Sequence, residues 1–157
     1  MIEFLSIALT DASRAAGEIR DFVGHIGGDD FVLLTGPACL PVFCEYLFER
    51  FTERIRELYP PEDLAAGGIE ATGRDGVRRF FPLASLSVGA ATSLFSDIEQ
   101  PQKAFELATQ AKHCAKSAEG NCLEVWGEKP FDIDQAAAAA ARLHRKDSRH
   151  PKEASVD

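Results

Sequence analysis

Residues Phe22 to Thr35 read FVGHIGGDDFVLLT, two runs rich in apolar residues on either side of Gly27, Gly28, Asp29 and Asp30. A Gly-Gly-Asp-Asp tip between such runs predicts strand, tight turn, strand. Glycine tolerates positive φ and has no Cβ, so a ligand can come close to the backbone at Gly27 and Gly28 while Asp29 and Asp30 present carboxylates beside it. Hard divalent cations prefer carboxylate oxygen, and magnesium sites combine one or two carboxylates with substrate phosphates, so the tip suits a metal-bound phosphate. Gly-Gly-Asp is also a common hairpin tip with no role beyond the turn, and these residues alone leave both readings open.

On the N-terminal side, Leu5, Leu9, Ala12, Ala16 and Ile19 recur at spacings of three and four, one face of an amphipathic helix that Gly17 is placed to end. On the C-terminal side, Phe43, Leu47, Phe51, Ile55 and Leu58 make a second helical stripe, and Tyr59-Pro60-Pro61 stops it because a residue before proline avoids the α region. The aromatic residues of that stripe follow the 3.6 period and read as core, not as a platform for bases. Gly68–Thr72 and Val77–Phe81 enclose the polar turn Gly73-Arg74-Asp75-Gly76, which predicts a projecting β-hairpin; Arg74, Arg78 and Arg79 read as its solvated face, with an anion site as the alternative.

Leu86, Val88 and Ala90 alternate with Ser85, Ser87 and Gly89, the period-two pattern of a strand, expected inside a sheet. Ser96-Asp97 or Glu99-Gln100, with Pro101, can start the next helix. Its stripe of small residues, Ala104, Leu107, Ala108, Ala111 and Ala115, allows close packing, Gly120 suits a left-handed C-terminal position, and Cys122 to Trp126 reads as a closing strand.

Beyond residue 127 the character changes. Six alanines, Ala136 to Ala141, predict a helix from about Ile133 to Arg145. Residues 142–157 carry five basic and three acidic side chains, +2, so residues 1–141 carry −10 of the total −8. The tail is expected to rest on the acidic body, with a disordered terminus as the alternative. The organisation read from the sequence is thus one body over 1–127, with a hairpin insertion at about 67–81, followed by the 128–157 tail.

A chain of 157 residues with 45% hydrophobic and 27% charged residues is of globular composition and fits one core. Its net charge of −8 leaves no basic surplus for a phosphate-backbone footprint, so nucleic acid is not an expected partner. No apolar run approaches the ~18 residues of a membrane span, and the start has no basic segment ahead of an apolar one, so the expected place is the cytoplasm, with no membrane partner. Cys39, Cys44, Cys114 and Cys122 lack Cys-x-x-Cys spacing and are expected to be buried apolar residues. His25 and His113 are isolated beside apolar runs and are not taken as ligands.

Three segments in order, Gly27-Gly28-Asp29-Asp30-Phe31 with Val32-Leu33-Leu34 after it, Phe81 to Gly89, and Ala104 to Asn121 with its Ala-Lys…Gly-Asn ending, resemble the GGDEF domains of diguanylate cyclases over roughly residues 1–126. Asp30 stands where that family usually has Glu. The resemblance implies an α+β fold with a ferredoxin-like, palm-type cyclase core, an antiparallel-rich sheet with helices. It implies a family reaction joining two GTP molecules into cyclic di-GMP across two domains that meet in a two-fold arrangement, as a homodimer or beside an upstream receiver or sensor domain. It makes Asp29 the ligand of Mg²⁺ or Mn²⁺ and an aid in deprotonating the attacking hydroxyl. Gly27 and Gly28 would admit the GTP phosphates, Asp30 would support the site, and Lys116 would be the phosphate-binding lysine.

Departures from the family pattern reduce what is expected of the chain. Gly120 stands where the family often has an arginine, which removes a cation and a bidentate donor. Glu18 and Asp21 occupy the positions of the family's inhibitory Arg-x-x-Asp, so product feedback is not expected. Members also carry, upstream, a central strand with a metal-binding aspartate and guanine-contacting residues that have no counterpart here. The expectation is a truncated and partly degenerate domain, missing the first central strand and inactive as this chain alone. A GTP-binding or docking module, and the C-terminal part of an active cyclase, stand as alternatives.

Overall fold

The computed structural model describes residues 2–16, 21–94 and 98–127, and shows a small α+β fold of helices and three two-stranded sheets, two antiparallel and one parallel. Helix α1 (Ile2–Ala16) buries Ala8, Leu9 and Ala12, and Leu5 packs beside them. Strands β1 (Phe22–Gly27) and β2 (Asp30–Leu34) form the expected hairpin. Helix α2 (Leu40–Ile55) buries Phe43, Leu47, Phe51 and Ile55 as its stripe predicts. Phe51, only 2% exposed, meets Phe4 of α1 with ring centroids 5.8 Å apart, which locks the two helices together.

Leu58 departs from that stripe. After Ile55 the chain tightens into a 3-10 turn, Arg56–Leu58, which rotates Leu58 off the helix face and leaves it 59% exposed. Tyr59 is extended, as a residue before proline should be, and its hydroxyl accepts a hydrogen bond from Ala84 N at 3.1 Å. A short helix that the sequence reading passes over, α3 (Pro61–Ala66), follows at once and is closed by Gly67 in the left-handed region, φ +75°.

Strands β3 (Gly68–Thr72) and β4 (Arg78–Pro82) make the projecting hairpin. Two of its three arginines are engaged locally: Arg78 pairs with Glu70 across the strands and Arg79 with Asp75 in the turn. Phe80 and Phe81 on β4 remain exposed.

Strand β5 (Ser87–Ala91), helix α4 (Pro101–Ala115) and strand β6 (Cys122–Trp126) form a right-sized crossover in which β5 and β6 pair in parallel. Gln100 is the N-cap residue and Pro101 the first helical residue. The small-residue stripe does what its sizes allow. Gly89 lies so close under α4 that a Cβ there would stand 2.6 Å from Lys112 Cα and closer still to the Ala108 carbonyl. Asn121 ties this unit to α2: its Oδ1 accepts from Leu86 N at 2.8 Å and its Nδ2 donates to Thr52 Oγ1 at 3.0 Å.

Side-chain parity fixes the layering. Val23, Phe31 and Leu33 of the first hairpin, Val88 and Ala90 of β5, and Leu123 and Val125 of β6 all pack on the core cluster that α1 and α2 build. Gly89, with opposite parity, faces α4, so α4 covers the other side of the β5–β6 ribbon. The expectation that β5 sits inside a larger sheet is not met: among the described residues the β1–β2 and β5–β6 ribbons share the core without pairing with each other. The hairpin face turned from the core is correspondingly bare, with Phe22, Ile26 and Leu34 more than half exposed.

Two smaller expectations are corrected. Only Cys44 is buried; Cys39 and Cys122 are half-buried and Cys114 is exposed, because position 114 falls off the small-residue stripe. Gly120 has the positive φ expected of it, +74°, but α4 ends at Ala115, so it serves the bend before β6 and does not cap the helix. Ile19, Gly17, Ser96, Asp97 and the tail helix over Ile133–Arg145 lie outside the described residues. No helix among the described residues is long and apolar enough to cross a membrane.

Candidate functional site

The hairpin tip is shaped by a register slip. Strands β1 and β2 pair one to one from Phe22↔Leu34 to His25↔Phe31; Ile26 is then the extra residue, and Gly27 pairs with Asp30 around the two-residue turn Gly28-Asp29. Gly28 has φ +57°, a conformation that costs a residue with a side chain roughly 1–3 kcal/mol. A Cβ at Gly27 or Gly28 would meet nothing within 4 Å, so the space over both glycines is open. His25 braces the turn: its ring stacks on Phe31 with centroids 4.6 Å apart, and its Nε2–H tautomer donates to Gly28 O at 3.0 Å.

Asp29 is exposed in the turn. Asp30 faces away from the core, the same side on which α4 lies, and there Lys112 Nζ donates to its Oδ1. This ion pair is the only one among the described residues that joins segments far apart in the chain; the others are one helical turn apart or within the β3–β4 hairpin. The hydrogen bond from Lys112 and its charge hold the Asp30 carboxyl below the usual carboxylate range against the opposing effect of burial, and the charge of Lys116 adds a lesser contribution. Lys116 N bonds to Lys112 O at 3.0 Å, which sets the two lysines one turn apart at the end of α4.

The structure thus gathers Gly27, Gly28, Asp30 and the Lys112–Lys116 end of α4, with Asp29 on the open side of the same turn. Lys112 and His25 are the members that sequence reading missed. Lys112 could have been found from its i, i+4 spacing to Lys116, which puts both ammonium groups over one face. His25 left a weaker trace, since only the folded turn brings its ring to Gly28 O.

Two carboxylates and two ammonium groups beside an open glycine turn can bind an oligophosphate and its counter-cation together. Among the described residues no three His, Cys, Asp or Glu side chains gather as a closed metal cage would need. Asp29 and Asp30 do supply the one or two carboxylates that suffice where phosphates complete the shell. The buried Cys44 is no nucleophile: desolvation pushes its thiol up to about 12.

No protein-family model matches the sequence, and no curated protein does either. The residues at the tip and their geometry carry the functional reading.

Proposed function

We propose that the chain is a GGDEF-type domain of cyclic di-GMP signalling, with a palm-type core, that holds GTP with Mg²⁺ or Mn²⁺ at the β1–β2 tip and does not complete turnover by itself. The observation that carries this reading is the meeting of the Gly27-Gly28-Asp29-Asp30 turn with the lysine-bearing end of α4, two segments far apart in the sequence. Gly27 and Gly28 let phosphates approach the backbone, Asp29 and Asp30 face the cation, and Lys116 neutralises phosphate charge. A bound divalent cation would supply electrostatic stabilisation of the α-phosphate as charge develops there.

Loss of the family's arginine at Gly120 leaves that charge less well compensated, and a homodimer or an upstream receiver or sensor domain would have to bring the second nucleotide. Incubating the protein with GTP and Mg²⁺ should therefore give no cyclic di-GMP, while GTP raises its melting temperature and Asp29→Ala or Lys116→Ala abolishes that rise. No rise with GTP in the parent protein would overturn the assignment.

Among the described residues the β1–β2 and β5–β6 ribbons share the core without pairing with each other, and their open edges favour a second reading, the C-terminal part of an active cyclase, in which a further strand pairs with them. Fusing the metal-binding strand of an active GGDEF domain ahead of Ile2 should then restore cyclic di-GMP formation, and continued inactivity of a folded fusion would sink this alternative.

A further inference from the structure

Of the two lysines at the end of α4, the resemblance accounts only for Lys116. Lys112 is placed by its backbone: the missing Cβ of Gly89 lets α4 sit down on β5 at Lys112 itself. From there its ammonium reaches Asp30, 82 residues away in sequence. The side chains of Lys112 and Asp30 keep 31% and 53% of their exposure, so an anion arriving at the tip can reach the pair. An ammonium held by an exposed carboxylate is weakly held. A multiply charged phosphate oxygen is the stronger partner.

We infer that Lys112 is a second phosphate-contact residue of the hairpin-tip site, and that its ion pair with Asp30 is a place-holder displaced by an incoming oligophosphate. This rests on the reading of the tip as a nucleotide site. On binding, the Lys112 ammonium passes from Asp30 to a phosphate oxygen and the Asp30 carboxylate turns to the accompanying divalent cation, so neither charge is left unpaired. A tether with no binding role would behave differently. For a metal-free oligophosphate the two partners must act with opposite sign: Lys112 attracts the ligand, whereas Asp30 repels it and competes for Lys112.

Isothermal titration of the full chain with inorganic triphosphate in EDTA, and separately with GTP and ATP in Mg²⁺, tests this on Lys112→Ala, Lys112→Arg and Asp30→Asn. Lys112→Ala should weaken triphosphate about tenfold, the scale of one charge-assisted hydrogen bond, and Lys112→Arg should retain most of the affinity. Asp30→Asn should tighten metal-free triphosphate and weaken GTP with Mg²⁺. Asp30→Asn breaks the same pair as Lys112→Ala, so tighter triphosphate binding by Asp30→Asn separates a lost phosphate contact from a lost tether, and weaker binding by both variants overturns the inference. If Lys112→Ala binds both ligands as the parent does, the inference is overturned and the nucleotide reading stands. If triphosphate binding depends on Lys112 but GTP binds no better than ATP, the inference stands and the guanine-nucleotide reading falls. Absence of binding by the parent to either ligand overturns both.

Discussion

Replacing Gly89 by alanine tests in one step how the site is attached to the fold. The added Cβ would stand 2.6 Å from Lys112 Cα, where ordinary contact begins at 3.4 Å, so α4 must lift by about 0.8 Å or more at that point. The atoms in the way are backbone and cannot swing aside. Overpacking of this kind costs about 2 kcal/mol. Disturbing the Lys112–Asp30 pair adds about 0.5 kcal/mol. The lower unfolded-state entropy of alanine offsets about 0.5 kcal/mol. The net loss should be about 2 kcal/mol, read by urea denaturation, or roughly 6–10 °C in melting temperature for a domain of this size.

Gly24→Ala is the matched control. There the new Cβ meets the Phe22 ring at 2.9 Å and Val32 Cγ1 at 3.1 Å. Phe22 is 55% exposed and its ring can turn into solvent, so the cost should stay below about 1 kcal/mol. A Gly89→Ala protein no less stable than Gly24→Ala would refute the close seating of α4 and, with it, the placing of Lys112.

Further outcomes follow from single contacts. Asn121→Ala leaves Leu86 N–H without its acceptor and should cost about 1–3 kcal/mol in denaturant unfolding, more than Asn121→Asp, which keeps the accepting oxygen. Burial raises the Cys44 thiol to about 12 from an ordinary 9.0, so its contribution to stability is complete below pH 9 and is lost as pH rises from about 9 to 12; Cys44→Ala should flatten that alkaline loss in pH-dependent unfolding. Asp30 has its carboxyl lowered by Lys112, so their pairing persists above the ordinary carboxylate value of 3.8 and is lost as pH falls through the lowered one. An NMR titration should show the Lys112 and Asp30 signals moving together at that acid end, and Lys112→Ala should move the Asp30 transition upward, toward the ordinary carboxylate range.

Local structure was legible wherever a residue pattern has one physical meaning. The Gly-Gly-Asp-Asp tip, the Phe43–Ile55 stripe and the alternation at Leu86–Ala90 each announce their element, because turn geometry and burial act on neighbours in sequence. Helix α3 escaped notice because its six residues, Pro61–Ala66, are too few to show a 3.6 period, and Leu58 fits a stripe that the backbone leaves two residues earlier. Pairing between strands was less legible. Alternation says which face of β5 is buried and says nothing about who lies at its edge, so the two separate ribbons could not be read from Val88 and Ala90. For the site, Lys116 came from resemblance and the tip from its glycines. The contact of Lys112 with Asp30 depends on how α4 settles over Gly89, which no local pattern encodes.

The central claim is that the β1–β2 tip and the end of α4 form one nucleotide-facing site. The most direct measurement is an NMR titration of the ¹⁵N-labelled protein with GTP and Mg²⁺, followed at the backbone amides. The account predicts that Gly27, Gly28, Asp29 and Asp30 shift together with Lys112 and Lys116, with one shared saturation curve, while Gly73 and Gly76 at the tip of the β3–β4 hairpin stay still. Shifts confined to one of the two segments, or none at either up to millimolar GTP, would contradict it.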